Sequence, residues 1–237
     1  MTHRYFAVHL PAQGGIVTLD EAESHHALKV MRAKTGESIT LFDGAGNECA
    51  ATIETLGRRE IICKTSAASP LDRENAVTLT FGVAMPKGDR SKELVERLTE
   101  LGVNRLVPIH CKRTQWPVPD NAIQKWQRVV IDACKQSQRN HLMEITAPQN
   151  LTSWLATVNE SPLISRFMVH PNDRVATPES NVVPATEIHA VIGPEGGFND
   201  QEVSLADTHG WKRLSLGNRI YRIETAAILA TIKLAGL

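Results

Sequence analysis

The chain has 237 residues, 42% of them apolar, with 26 Lys/Arg against 26 Asp/Glu and a formal net charge of zero. This is ample for a buried core in one large domain or two modest ones, and the neutral balance argues against tight nonspecific nucleic-acid binding. No run reaches the roughly 18 apolar residues of a membrane span, and residues 1–9 lack the apolar core of a secretory signal, so a soluble cytoplasmic protein is expected. Cys49, Cys63, Cys111 and Cys134 are far apart. None forms Cys-x-x-Cys or has a histidine at metal-ligand spacing beyond the adjacent His110, so buried free thiols and no metal site are expected.

Residues 1–70 read mostly as β structure. A helix is predicted over 21–33, with Gly36 as its stop. Residues 38–42 alternate as a strand, Asp43-Gly44-Ala45-Gly46-Asn47 is hairpin chemistry, 48–55 resumes the extended pattern, and 56–59 turns the chain into a strand over 60–65. Residues 66–75, with Pro70, read as a linker. From 76 onward strands alternate with helices. Strands are expected at 77–83, 105–109, 163–169, 188–192 and 213–216, with helices over 89–101 and 121–138. This βαβ alternation predicts a second domain, 76–237, built on a mostly parallel sheet covered by helices.

Two glycine-rich turns stand in that second half, each after an apolar run and each leading into a helix. The first is Ile192-Gly193-Pro194-Glu195-Gly196-Gly197-Phe198; the second is Leu216-Gly217-Asn218-Arg219-Ile220-Tyr221-Arg222-Ile223-Glu224-Thr225-Ala226. Ligands of open α/β sheets bind beyond the carboxyl ends of the strands, where both turns fall. No Gly-x-Gly-x-x-Gly follows the first strand of this half and no Gly-x-x-x-x-Gly-Lys-Ser/Thr occurs, which excludes the usual dinucleotide and nucleoside triphosphate sites. A tight strand-to-helix connection without a ligand is the other reading of the first turn.

Asn199 and Glu202 match a capping box, so Glu202 reads as structural. Glu195, between Pro194 and Gly196, cannot be a helix-surface carboxylate. Arg219, Arg222 and Glu224 fit either a salt-bridged helix start or a substrate role. The last helix, 223–234, is apolar nearly all round and must be buried in the core or against a second copy of the chain. Residues 105–141 collect Arg105, Lys112, Arg113, Lys125, Arg128, Lys135 and Arg139 against Asp120 and Asp132, so a neutral chain can still carry a basic face. Along the long helix, Lys125, Arg128, Lys135 and Arg139 form a stripe that is either a solvated face or an RNA contact.

The two turns together resemble the signature of the SPOUT methyltransferases, and within them the RsmE family, which methylates N3 of a uridine in 16S ribosomal RNA. Glu100-Leu101-Gly102-Val103, Ala133-Cys134-Lys135-Gln136-Ser137-Gln138-Arg139-Asn140 and His170-Pro171 match the same family. Arg4-Tyr5-Phe6 and residues 26–32 resemble its small amino-terminal barrel more weakly, and Tyr221 is bulkier than the residue usual there. The resemblance implies an α/β fold: a carboxyl-terminal SPOUT domain tied in a deep trefoil knot, preceded by a PUA-like RNA-binding β-barrel.

It also implies S-adenosyl-L-methionine as cofactor, held by three loops. These bring Met168, Val169 and His170; then Ile192, Gly193, Gly196 and Gly197; then Leu216, Gly217, Arg219 and Ile220, with Thr225. A homodimer acting on the small ribosomal subunit is implied, with RNA contacts from Arg4 and Arg32 in the small domain and Lys87, Arg113, Lys125, Arg128 and Lys135 beyond it. Uracil N3 carries a proton at neutral pH, so the enzyme must favour the uridinate. Arg139 is the first candidate to stabilise that anion and Arg222 the second. Glu195 or Glu224 would take the proton or orient an arginine, and both roles stay open. The same fold acting on a ribose hydroxyl or a transfer-RNA guanine, and a non-catalytic ribosome-assembly factor, are the alternatives.

Overall fold

Asp43 illustrates how short-range chemistry builds the first part of the chain. Its Oδ1 accepts from the amides of Ala45 (2.8 Å) and Asn47 (3.0 Å), and its Oδ2 from Asn47 Nδ2 (2.6 Å), which locks the hairpin read from the sequence. The computed structural model describes residues 2–158, 161, 163–170 and 185–236, so Pro171 of the His-Pro pair lies outside the described residues. The chain divides into two compact units: Met1–Glu74 with Ile131–Leu142, and Asn75–Val130 with Met143–Leu237.

The strands of the first unit are β1 (His3–Phe6), β2 (Gly15–Leu19), β3 (Ser38–Phe42), β4 (Asn47–Leu56), β5 (Ile61–Thr65) and β6 (Ser69–Pro70). They pair in the order β1-β3-β4-β5-β2, with β6 on β4. Only β1 and β3 are parallel. Alternate residues point inward, and Tyr5, Leu19, Ile39, Leu41, Ile53 and Ile61 make a closed core. Helix α1 (Glu21–His25) is capped by Asp20, whose Oδ1 accepts from the Glu23 amide. The helix predicted over 21–33 changes character halfway: His26–Val30 is a π-helical turn, closed by Met31 N–H on His26 O.

The second segment of this unit is secured by buried polar pairs rather than by apolar packing alone. Lys135 Nζ lies 2.7 Å from the buried Glu23, and 2.8 Å from the exposed Asp132 of its own segment. Arg139 grips Glu74 through Nε and Nη2, and Arg4 reaches both Glu48 (2.8 Å) and Asn140 (2.6 Å). These pairs connect residues up to 136 positions apart in sequence.

The second unit contains β7 (Thr78–Val83), α2 (Asp89–Glu100), β8 (Arg105–His110), α3 (Ala122–Ser137), β9 (Glu144–Ile145), β10 (Gln149–Asn150) and α4 (Leu151–Thr157). It continues with β11 (Ile164–Val169), β12 (Glu187–Ile192), α5 (Asp200–Thr208), β13 (Lys212–Leu214) and α6 (Ile223–Ala235). The last turns of α3 are counted with the first unit. The sheet runs β10-β8-β7-β12-β11-β13, with β9 also on β8. Every pair in it is parallel, as the βαβ pattern predicts.

Trp154 of α4 and Trp211 pack at 5.1 Å between ring centroids, in a cluster with Val107, Met168, Val191 and Ala206. Gly82 of β7 turns toward that layer, where an added Cβ would come within 2.6 Å of the Trp154 ring. Helix α6 packs on α2, β7 and β12, and so covers the opposite face of the sheet. All four cysteines are buried and unpaired. Among the described residues no helix is long and apolar enough to cross a membrane.

Candidate functional site

Strands β11, β12 and β13 lie in the same half of the parallel sheet, so their carboxyl ends open toward one region. A cleft of about 280 Å³ occupies it. One wall is the first glycine turn. Gly193 follows β12 directly, and an added Cβ would stand 3.0 Å from the Phe198 ring, so a side chain there would displace the buried phenylalanine. The amide of Gly197 donates to Pro194 O at 2.8 Å and closes a turn with Glu195 and Gly196 at its corners. Glu195 is thereby pushed outward, to the rim.

The turn is braced on both sides. Asn199 Oδ1 accepts from Glu202 N and Glu202 Oε2 accepts from Asn199 N, both at 2.8 Å, the capping box expected at the start of α5. The other Glu202 oxygen accepts from Lys112 N at 2.7 Å. Arg113 then lies along the cleft and donates from Nη1 to Gly196 O (2.8 Å) and Phe198 O (3.2 Å).

The facing wall comes from the segments after β11 and β13. The His170 amide donates to Leu214 O at 3.0 Å, tying these two strand ends together. Leu216 and Ile220 give apolar surface, and Gly217 adopts φ +117°, a conformation that favours glycine. The Tyr221 hydroxyl sits 3.6 Å from where a Cβ on Gly217 would be, an ordinary contact distance, so it is the backbone conformation rather than the space that requires glycine here. Ile223 and Ala226 of α6 complete the wall. Backbone amides and carbonyls at the turns, with Val169, Leu216 and Ile220 between them, suit a flat heterocycle with polar edges.

The electrostatic centre of the rim is Arg90, in the first turn of α2. Its Nε and Nη2 donate to Glu224 Oε1 (3.0 Å) and Oε2 (2.8 Å), while Nη1 donates to Glu195 Oε1 at 3.1 Å. One guanidinium therefore joins the first glycine turn to the start of α6. Burial by itself would raise the Glu224 carboxyl, but the Arg90 hydrogen bonds, its own amide and the Arg90 charge outweigh this and hold it below the usual carboxylate range. Hydrogen bonding to Glu224 in turn raises Arg90.

Of the cofactor residues implied by the resemblance, Val169, His170, Ile192 and Gly193 line the cleft. So do Gly196, Gly197, Leu216, Gly217, Arg219 and Ile220. Met168 and Thr225 do not: strand alternation turns Met168 into the core, fully buried, and Thr225 lies on the exposed side of α6. Glu195 lines the cleft, Glu224 is beneath it through Arg90, and Arg222 is exposed as the residue capping α6. Arg139 is 4% exposed in the first unit, its guanidinium engaged by Glu74.

Among the residues named for RNA, Arg32, Lys87, Arg113, Lys125 and Arg128 are exposed, whereas Arg4 and Lys135 are taken up by ion pairs of their own unit. Arg90 was not legible in the sequence. It stands at a helix start in Lys87-Gly88-Asp89-Arg90, 134 positions from Glu224, with nothing local to mark the pairing.

A family model described as an RNA methyltransferase domain matches residues 73–235, and one described as an RNA methyltransferase PUA domain matches residues 19–66. Ribosomal RNA small subunit methyltransferase E of Synechocystis sp. is 30% identical over 236 residues, spanning 93% of this chain and 73% of the relative. Among solved structures, a methyltransferase of Legionella pneumophila in complex with the bound cofactor SAM superposes with a TM-score of 0.91 at 29% identity, over 100% of this chain and 98% of that one. A ribosomal RNA small subunit methyltransferase E of Neisseria gonorrhoeae bound to S-adenosyl methionine gives 0.90 at 26% identity, over 99% and 98% of the two chains.

Proposed function

Since the chain belongs to the ribosomal RNA small subunit methyltransferase E family, with a PUA-like unit before a SPOUT-type α/β domain, we propose that it methylates N3 of a uridine in 16S ribosomal RNA. The observation that carries this reading is the glycine-turned cleft at the ends of β11, β12 and β13. S-adenosylmethionine fits it: Gly193, Gly196, Gly197 and Gly217 put bare backbone on the cleft wall for close approach, and Val169, Leu216 and Ile220 offer apolar cover. That cofactor supplies an activated sulfonium methyl group. The trefoil threading belongs to the same proposal, supported by the convergence of the three loops on one cleft.

The chain's own residues have then to make N3 nucleophilic. Arg222, exposed beside the cleft, is placed in sequence to face a uracil oxygen and favour the uridinate, and Arg219 on the wall adds a second cation. Arg90 holds the enclosed Glu224 through two hydrogen bonds and depresses its carboxyl, which favours an orienting role for it, whereas Glu195, exposed at the rim and held by one Arg90 hydrogen bond, is assigned the proton. Arg139, gripped by Glu74, is better suited to anchoring the 131–142 segment than to meeting substrate. Exposed Lys87, Arg113, Lys125 and Arg128 would hold phosphates, positioning the RNA without reading its sequence.

A homodimer is part of the proposal. Thr225, Ile228, Leu229 and Ile232 follow i, i+3, i+4, i+7 spacing on the side of α6 turned away from its buried face, and Ile232 is 38% exposed. Site of action in the cytoplasm follows from the ribosomal substrate. Isothermal titration with S-adenosylmethionine tests the cleft. Mass spectrometry of nuclease-digested small-subunit RNA from a deletion strain, with and without the gene restored, tests the product: 3-methyluridine should vanish and return, and a methyl group lost instead from ribose or guanine would reassign the reaction.

A further inference from the structure

Two segments are fastened to the first glycine turn at the cleft, and they meet each other. Arg113 donates to Gly196 and Phe198, and Arg90 donates to Glu195. Three residues beyond Arg113 stands Trp116, and three before Arg90 stands Lys87; the Lys87 ammonium lies 3.8 Å from the centroid of the Trp116 ring. Three residues span at most about 11 Å of extended chain, so this pair is held close to the rim whatever path the loops take.

Trp116 is also the exception among the tryptophans. Trp126, Trp154 and Trp211 are 5%, 4% and 3% exposed, whereas Trp116 is 46% exposed. A core indole needs no explanation, but an indole left in water and flanked by an ammonium matches the way aromatic and cationic groups jointly hold unpaired bases. The aromatic face accepts a base of any identity, and the ammonium attracts the adjoining phosphate. Exposed Lys112 and Arg113 add positive charge on the same loop, against the exposed carboxylate of Asp89.

We propose that Lys87 and Trp116 form a stacking platform at the rim of the cleft for an unpaired nucleobase of the RNA, next to the nucleotide that enters the site. This rests on the RNA methyltransferase reading above. It assigns Trp116 a place in substrate positioning, with the chemistry of transfer left to the residues of the cleft.

The test uses the full chain in two measurements. In the first, oligouridylate is titrated while indole emission is followed in the parent and in Trp116→Phe. Stacking should quench the parent, and the difference between the two proteins isolates Trp116 because the other three indoles are buried. In the second, methyl transfer to small ribosomal subunits is measured for Trp116→Ala, Trp116→Phe and Lys87→Ala. Trp116→Ala should raise KM for the RNA on the order of ten-fold, Trp116→Phe should stay near the parent, and S-adenosylmethionine affinity should be unchanged in both. The platform is overturned if quenching is the same with and without Trp116, or if Trp116→Ala leaves KM where it was. Should the parent itself transfer no methyl group, the enzymatic reading fails alone, and the emission titration still decides the platform.

Discussion

Replacing Arg90 by alanine strips two carboxylates of one partner, and the structure sets the size of the effect. Removing one member of a buried pair costs about 3–5 kcal/mol, and an exposed pair contributes about 0–1 kcal/mol. The Glu224 side chain is 10% exposed and Arg90 35%, so solvent screens one partner and hardly the other. An intermediate loss of about 2 kcal/mol in unfolding free energy follows. The Glu195 pair, 35% and 44% exposed, adds little to stability, but its loss frees the turn that walls the cleft. Cofactor affinity should fall roughly five-fold, about 1 kcal/mol.

Urea denaturation and titration calorimetry on Arg90→Ala read the two effects separately. Adding Glu224→Gln to that variant should recover stability, because it removes the orphaned charge. The pH dependence has a definite sign. A carboxyl whose folded value is depressed contributes fully above its unfolded value, about 4.3, and loses that contribution as pH falls through the folded value. The gap between parent and Arg90→Ala should therefore be complete at neutral pH and close below about pH 4. An Arg90→Ala protein within roughly 0.5 kcal/mol of the parent at pH 7 would show that the clamp holds nothing.

Gly193→Ala places a methyl 3.0 Å from the Phe198 ring, so cofactor affinity should drop at least ten-fold by calorimetry, with about 1–3 kcal/mol lost in stability. Ile232→Glu puts a charge on the outward stripe of α6; under the proposed homodimer, light scattering should find the parent dimeric and this variant monomeric at the same concentration, and a monomeric parent would refute the dimer. Burial pushes the Cys63 and Cys134 thiols up to about 11 and Cys111 up to about 12, so native protein at pH 8 should resist a thiol reagent that titrates all four cysteines after denaturation.

Short-range chemistry was legible wherever one residue type has one physical use. Asp43-Gly44-Ala45-Gly46-Asn47 makes the hairpin it predicts, and Asn199 with Glu202 closes the capping box. The β7, β8 and β12 strands match their apolar runs within a residue at each end. Harder to read was the helix over 21–33, because an α-helix and a π-turn share the same apolar spacing over five residues. The short β9 and β10 strands and α4 are too brief, or too ordinary in composition, to stand out from loop. Likewise Lys125, Arg128, Lys135 and Arg139 look alike as a helical stripe, yet two are exposed and two are held by carboxylates distant in sequence, Glu23 of α1 and Glu74 of a loop.

What the sequence determined by itself was the kind of cleft: glycines at strand ends allow close backbone approach to a ligand, a property of each residue that needs no partner to express. What only the tertiary structure decided was how the charges are used. Arg90 could be assigned to Glu195 and Glu224, and Arg139 to Glu74, only once folding had brought together groups 105, 134 and 65 positions apart. Coulombic and hydrogen-bond energies depend on separations of a few ångströms, and sequence distance carries no such information.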